Sequence, residues 1–445
     1  MFGLFKNKIV LKKQELIENQ FLIHGPEYLD LKEIVKLYEF TPIEFNIPEF
    51  NPNIINKKLE NDLESQALSC YAVFNKNINY FNNFYKINKW AITKKINVYI
   101  RAGLDLNAYY CRNSFKFFYG PHKNKQKMVY SVDYPEIISH ELGHGLLDSI
   151  RPDLWNVQSM EIWAFHESFA DIIAMVYLLQ FDSVIEKMLN ETNGNLEKTN
   201  LVSRLAEGFE NSISNNNYLR DASIQNQYEQ PEILYLKNKK YNKHEFSKIF
   251  TSAWYKIFVQ IFKKISGVTQ IEAVKLARDI SFKYLIFSTK MAPNNIRFFE
   301  TIANLMLIAD KNNNCEYQEI IKNVFKEQNI IKEKVMFLSS DNNNKKIFRI
   351  KDNKLEYTYS NSENYEVVLS EKLILGQNNN NLLNKKIELA SENISIKTND
   401  LNVDLFSSKE DVLNSALCCL NYINDNYQGW EIKNNKLIRT EINCF

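Results

Sequence analysis

The sequence predicts an α+β fold, with a β-rich N-terminal lobe ahead of a mainly helical C-terminal lobe. Aromatic and β-branched residues crowd into short runs before residue 133, in KINVYIRA, NAYYCRNSFKFFYG and KMVYSVDYP. From residue 134 to about 330, apolar residues recur at helical spacing in one segment after another. The chain has 445 residues, 45% hydrophobic and 24% charged, which suffices for two or three domains around a large buried core.

Residues 1–60 read as a lead-in, because TPIEFNIPEFNPNI carries prolines and little periodicity. Residues 61–133 make the β-rich lobe. A helix over 63–84 opens it, with apolar residues at Leu68, Tyr71, Phe74, Ile78 and Phe81. The strand-like runs follow, with PHKNKQ as a loop between the last two. Residues 134–332 make the helical lobe. Its first helix covers 134–149, with Pro135 in the first turn, where a missing N–H costs nothing, and RPD ending it. A second helix covers 161–179, and a third starts at His244. TQIEAVKLARDISFKYLIF, PNNIRFFETIANLMLIA and CEYQEIIKNVFKEQN supply three more. Residues 333–445 form an additional C-terminal α/β module whose role the sequence does not reveal. It has strands in KIFRIKDNKLEYTYS and YEVVLSEKLILG, a helix in VLNSALCCLNYINDNY and a hairpin in WEIKNNKLIRTEI.

Several functions are disfavoured by composition. The net charge of +2 makes no electrostatic case for nucleic acid. No stretch approaches 18 apolar residues, so no membrane-spanning helix is expected. The N-terminus MFGLFKNKIV lacks the apolar run of a classical signal peptide. That leaves two locations open, the cytoplasm or export by a signal-independent route. The six cysteines form neither a disulfide framework nor a CxxC thiolate pair.

The chemistry concentrates in HELGH, residues 140–144. On a helix His140 and His144 stand on one face, one turn apart, and can reach the same metal ion. Glu141 lies on the neighbouring face, placed to contact an activated water without being a ligand. Two histidines for zinc and a glutamate to accept the water's proton are the parts of a hydrolytic centre. By itself the pattern also suits an ordinary amphipathic helix with one partly buried histidine. Gly143 and Gly145 weaken that helix by about 1 kcal/mol each relative to Ala, which suggests a close approach by another element.

A catalytic zinc takes a third protein ligand. AFHESFADIIA offers Glu167, which lies 23 residues past His144, and Asp171 one turn further along the same face. Carboxylates among Trp163, Phe165, Phe169, Ile172 and Ile173 are costly unless paired or metal-bound. Glu167 is the preferred third ligand because it shares a face with Asp171, which can bind the far nitrogen of a zinc histidine. His166, about 100° around the helix, is the alternative. Asp148 suits either a contact beside His144 or the end of its helix.

With these residues assembled, the span of about 65–330 resembles the thermolysin-like metallopeptidases, the HExxH-plus-glutamate group. HELGH resembles their zinc helix and HESFAD the segment carrying the third ligand. The resemblance implies two lobes with an active-site cleft between them. It implies Zn2+ held by His140, His144 and Glu167, with Glu141 as general base and Asp171 orienting a histidine. NAYYCRNSFKFFYG resembles the family's edge strand, which implies that Asn107 and Ala108 line the substrate cleft. YNKHEFSKIFTSAWYKIF resembles the helix bearing the family's oxyanion-stabilising histidine, which implies that role for His244. The family's tyrosine between the zinc helix and the third ligand has no counterpart in GLLDSIRPDLWNVQSMEIWAF. Trp155 can take its space, and its N–H can donate. DKNNN does not meet the twelve-residue calcium-loop pattern. The function expected is a zinc endopeptidase acting on peptides or proteins. The alternatives are a narrower processing or aminopeptidase activity, or a catalytically weak or inactive interaction module of the same fold.

Overall fold

The β-rich stretch forms a mixed sheet. In the computed structural model its first four strands are β1 (Ile43–Phe45), β2 (Ile96–Tyr99), β3 (Ala108–Cys111) and β4 (Ser114–Phe117). The structure describes residues 63–331, other than 88, 95, 125–127, 158, 215–217, 232, 235–241, 295–296 and 312, with short strands at 43–45 and between 337 and 443. The sheet order is β1, β2, β4, β3, followed by a C-terminal strand, Ile442–Asn443. β2 runs parallel to β1 and β4, and β3 runs antiparallel to β4. Alternation decides which faces are buried: Ile96 and Val98 of β2 and Ala108 and Tyr110 of β3 point into the core. β3 and β4 join through Arg112, whose φ of 24° is unusual for a side-chain-bearing residue. A second hairpin, β5 (Tyr119–Pro121) with β6 (Met128–Tyr130), leads to the helices.

The first helix, α1 (Leu63–Phe81), lies against α2 (Pro135–Ile150), where Asn77 Nδ2 donates to Ser139 Oγ at 3.0 Å. Pro135 stands in the first turn of α2, as expected. The next helix, α3 (Met160–Leu178), is buried along its whole length and packs against α2. Two glycines set that distance. A Cβ on Gly143 would stand 2.6 Å from the Ala170 Cα of α3, and one on Gly145 would stand 2.6 Å from the Phe115 ring of β4. The motif helix is thus pressed against both the next helix and the sheet.

Two short helices were not expected: α4 (Asp182–Thr192) and α5 (Glu207–Ile213). α4 buries Val184, Ile185, Met188 and Leu189, but over 11 residues it offers few repeats of the period; α5, with 7 residues, has fewer still. Between and beyond them, β7 (Arg204–Leu205) pairs with β8 (Arg220–Asp221).

The remaining helices are α6 (Lys243–Lys264), α7 (Gln270–Met291), α8 (Phe298–Lys311) and α9 (Gln318–Glu327). The Asn242 side chain caps α6 by accepting from the His244 and Glu245 N–H groups, and Thr269 with Glu272 forms a capping box at α7. α6 and α8 complete the burial of α3, with Phe165 meeting Phe250 and Phe298 at ring distances of 5.3 and 5.1 Å. The architecture is a β-rich region followed by a mainly helical one. Among the described residues no single helix is long and apolar enough to cross a membrane.

Beyond residue 331, strands form at Ile347–Lys351, Lys354–Thr358 and Asn364–Val368, and Trp430–Lys433 pairs with Lys436–Arg439 as the expected hairpin. The helix expected in VLNSALCCLNYINDNY and most of the 1–60 lead-in lie outside the described residues. β1 is the exception in the lead-in: three residues are too few to show alternation.

Candidate metal centre

The site is built from three helices. One turn of α2 separates His140 from His144, and their rings lie 4.9 Å apart at 88°. α3 brings Glu167 between them. Its Oε2 stands 3.5 Å from His140 Nε2 and 3.8 Å from His144 Nε2. All three side chains are buried, and they are the only such group of potential metal ligands among the described residues. His166, the alternative third ligand, is buried on α3 with its ring 6.0 Å from that of His144, outside the group.

The donor set fits zinc. Ligand atoms about 2.0–2.1 Å from a tetrahedral ion lie roughly 3.3–3.5 Å from one another, close to the two separations seen. His140 Nε2 and Glu167 Oε2 are buried with no hydrogen-bond partner, an arrangement that is costly unless something binds there. One neutral-capable nitrogen pair and one carboxylate oxygen make the His2Glu set of a hydrolytic zinc site.

The far sides of these ligands are held. His140 Nδ1 lies 3.0 Å from Asp171 Oδ1, which also accepts from Arg220 Nη2 at 2.7 Å. A proton on Nδ1 leaves Nε2 as the lone-pair atom facing the cluster. The other oxygen of Glu167, Oε1, accepts from Lys243 Nζ at 2.7 Å. Lys243 is the first residue of α6, next to His244, whose Nε2 stands 3.6 Å from Glu167 Oε2. The His244 side chain is 23% exposed, at the rim of an otherwise enclosed cluster.

Electrostatics separate two equally buried histidines. Burial pushes both imidazoles down. For His140 the Asp171 carboxylate at Nδ1 and the Glu167 carboxylate 3.5 Å from Nε2 outweigh it and hold the group up at about 9. His144 lacks that aspartate and stays well below its ordinary range. Burial acts to raise Glu167, but Lys243 first, then His244 and His144, hold it well below the usual carboxylate range. Asp171 is likewise held low, against burial, by Arg220 and His140. The field that retains a proton on His140 also favours a cation at its Nε2.

Glu141 follows His140 on α2 and is fully buried. Asp148, four residues past His144, accepts from Tyr110 Oη at 2.9 Å and from Arg112 Nε and Nη2 at 3.0 Å each, tying the β3–β4 turn to the end of α2. Trp155 is fully buried, edge-on to Tyr110 with ring centroids 5.6 Å apart and beside Arg112 and His166. Asn107 precedes β3. Its side chain accepts from the Ala108 N–H at 2.8 Å, and its carbonyl accepts from the Phe118 N–H. Ala108 is buried and pairs with Phe117.

Lys243 and Arg220 were invisible to sequence reasoning. Lys243 is one of three lysines in NKKYNKHE, and Arg220 reaches Asp171 across 49 residues with no local spacing to signal it.

The triad His140, His144 and Glu167, with Glu141 between the histidines, matches the HExxH-plus-glutamate pattern of thermolysin-like zinc peptidases, and its geometry is that of a zinc-dependent hydrolase. No protein-family model matches the chain, and no curated protein matches it.

Proposed function

We propose that this protein is a zinc-dependent endopeptidase. The observation that carries the reading is the buried His140–His144–Glu167 cluster, with Glu141 on the same helix. When bound, zinc supplies Lewis acidity for activating water and polarising the scissile carbonyl. Glu141 accepts the proton of the attacking water and passes it to the leaving amine. Asp171 holds His140 by Nδ1, so that Nε2 serves as ligand. His244, at the exposed rim, donates a hydrogen bond to the developing oxyanion. The substrate lies extended across a cleft between the β-rich and helical regions, along Asn107 and Ala108.

Trp155 fills the space of the family's tyrosine. Its complete burial suits volume filling better than donation to a substrate. The oxyanion then depends on His244, which favours a slower or narrower peptidase as the second reading.

The test is direct. The purified chain is expected to bind one zinc ion and to cleave casein or quenched fluorescent peptides. Glu141→Gln should lower turnover by at least about 10²-fold and leave the zinc content unchanged. Stoichiometric zinc with no cleavage across a broad peptide screen would sink the endopeptidase reading.

A further inference from the structure

β3 has β4 on one side. On the other, the chain's own Ile442–Asn443 pairs with it antiparallel, Ile442 opposite Tyr110 and Asn443 opposite Tyr109. This is the edge that the proposed function assigns to an extended peptide. We infer that Ile442–Asn443 is an internal occupant of the substrate edge, which an extended peptide must displace to reach the metal centre. The pairing stands without the endopeptidase reading; its consequence for turnover rests on that reading.

The register carries the argument. Running antiparallel, the C-terminal strand passes from Tyr110 to Tyr109 and so heads toward the Ala108 and Asn107 end of β3. Both paired residues lie within three positions of Asn107. The stretch they cover is fastened to the motif helix, since Tyr110 Oη donates to Asp148, four residues past His144. A chain seated on it therefore takes up the main-chain donors and acceptors of β3 close to the helix that carries both histidines. Two main-chain strands cannot share one edge.

The strength of the contact suits a displaceable occupant. Only two residue pairs are made, and net hydrogen bonds contribute about 1 kcal/mol each. That is weak for a free peptide. Here the segment follows the hairpin Trp430–Lys433 and Lys436–Arg439 by only two residues. The segment belongs to the same chain, so its pairing with β3 is intramolecular and a weak contact can compete with free substrate. Such an occupant raises KM and leaves kcat unchanged.

The experiment compares the full chain, a chain ending at Thr440, and the full-length double variant Ile442→Pro, Asn443→Pro, whose prolines lack the N–H that pairing uses. Hydrogen exchange of the peptide covering 107–112 and the KM for a quenched fluorescent peptide are measured on all three. Both altered forms are expected to exchange faster in 107–112 and to show a several-fold lower KM at a kcat within twofold. Unchanged exchange overturns the pairing. Faster exchange with unchanged KM overturns the occlusion. Absence of turnover in every form counts against the endopeptidase reading instead, and anisotropy of a labelled extended peptide then decides: tighter binding to the altered forms upholds occlusion, equal binding overturns it.

Discussion

Lys243 shows how one residue can set the terms of a metal site. A buried carboxylate can present either or both oxygens to an ion. Lys243 Nζ holds Glu167 Oε1 at 2.7 Å, and that leaves Oε2 facing the two imidazoles. Removing the outer partner of a ligand typically costs 10–100-fold in metal affinity. Lys243→Met should therefore weaken zinc binding by about that factor, read by competition with a chromophoric chelator, and Lys243→Arg should recover most of it. Equal affinities in all three proteins would remove Lys243 from the site. Glu136 offers a residue-scale prediction in pH. Burial, aided by Glu207, pushes its carboxyl from 4.5 up to about 7. The folded state therefore holds this proton more tightly than the unfolded state does. Its contribution is most favourable below 4.5 and is lost as pH rises through about 7. Glu136→Gln removes the ionisable group, so the thermal midpoint should rise at pH 8 and change little at pH 4.5. A rise of equal size at both values would refute the ionisation argument.

At the scale of elements, the motif helix is defined by what it touches. Gly143 and Gly145 looked like weaknesses in a helix, and the structure shows each as a contact surface. A Cβ at Gly143 would meet the Ala170 backbone, which cannot swing aside as a flexible side chain would. Gly143→Ala gains about 1 kcal/mol of helix propensity but must push α2 away from α3, at about 1–3 kcal/mol for overpacking. The shift also separates His140 and His144 from Glu167. The expected result is a lower thermal midpoint together with weaker zinc binding, checked by calorimetry and chelator competition. A stabilised protein with unchanged zinc affinity would show that the helices have room to spare. Long periodic helices such as α2, α3, α6 and α7 were legible in the sequence because several turns repeat the same face. α4, α5 and β1 were not, because each is too short to establish a period and is held by its neighbours.

For the whole molecule, the metal centre was legible only where chemistry runs along one helix. HELGH and HESFAD display their ligands at one-turn spacing. The groups that balance them do not, since Arg220 comes from β8 and Lys243 from the start of α6. Their positions follow from tertiary packing and carry no local signal. These distant cations bear on what happens without metal. Glu167 and Asp171 are buried carboxylates, and a buried unpaired charge costs several kcal/mol. Each has a cation at 2.7 Å, Lys243 for Glu167 and Arg220 for Asp171. Each of these two carboxylates therefore keeps a counter-charge in the metal-free protein, and the core around α3 does not depend on the ion to pair them. Zinc binding adds stability by mass action, about 4 kcal/mol when free metal is a thousandfold above Kd. Stripping the metal should then lower the thermal midpoint but leave a folded protein with one cooperative transition, and re-adding zinc should restore the midpoint. In Lys243→Met, with its roughly 10–100-fold weaker zinc binding, the loss on stripping should be smaller by about 1.4–2.7 kcal/mol, while the metal-free protein, which keeps Glu167 without its lysine, should be less stable than the metal-free wild type. Calorimetry of the metal-free and zinc-loaded forms of both proteins decides the point. A metal-free wild type that is already unfolded would mean that the two cation pairs do not hold the cluster.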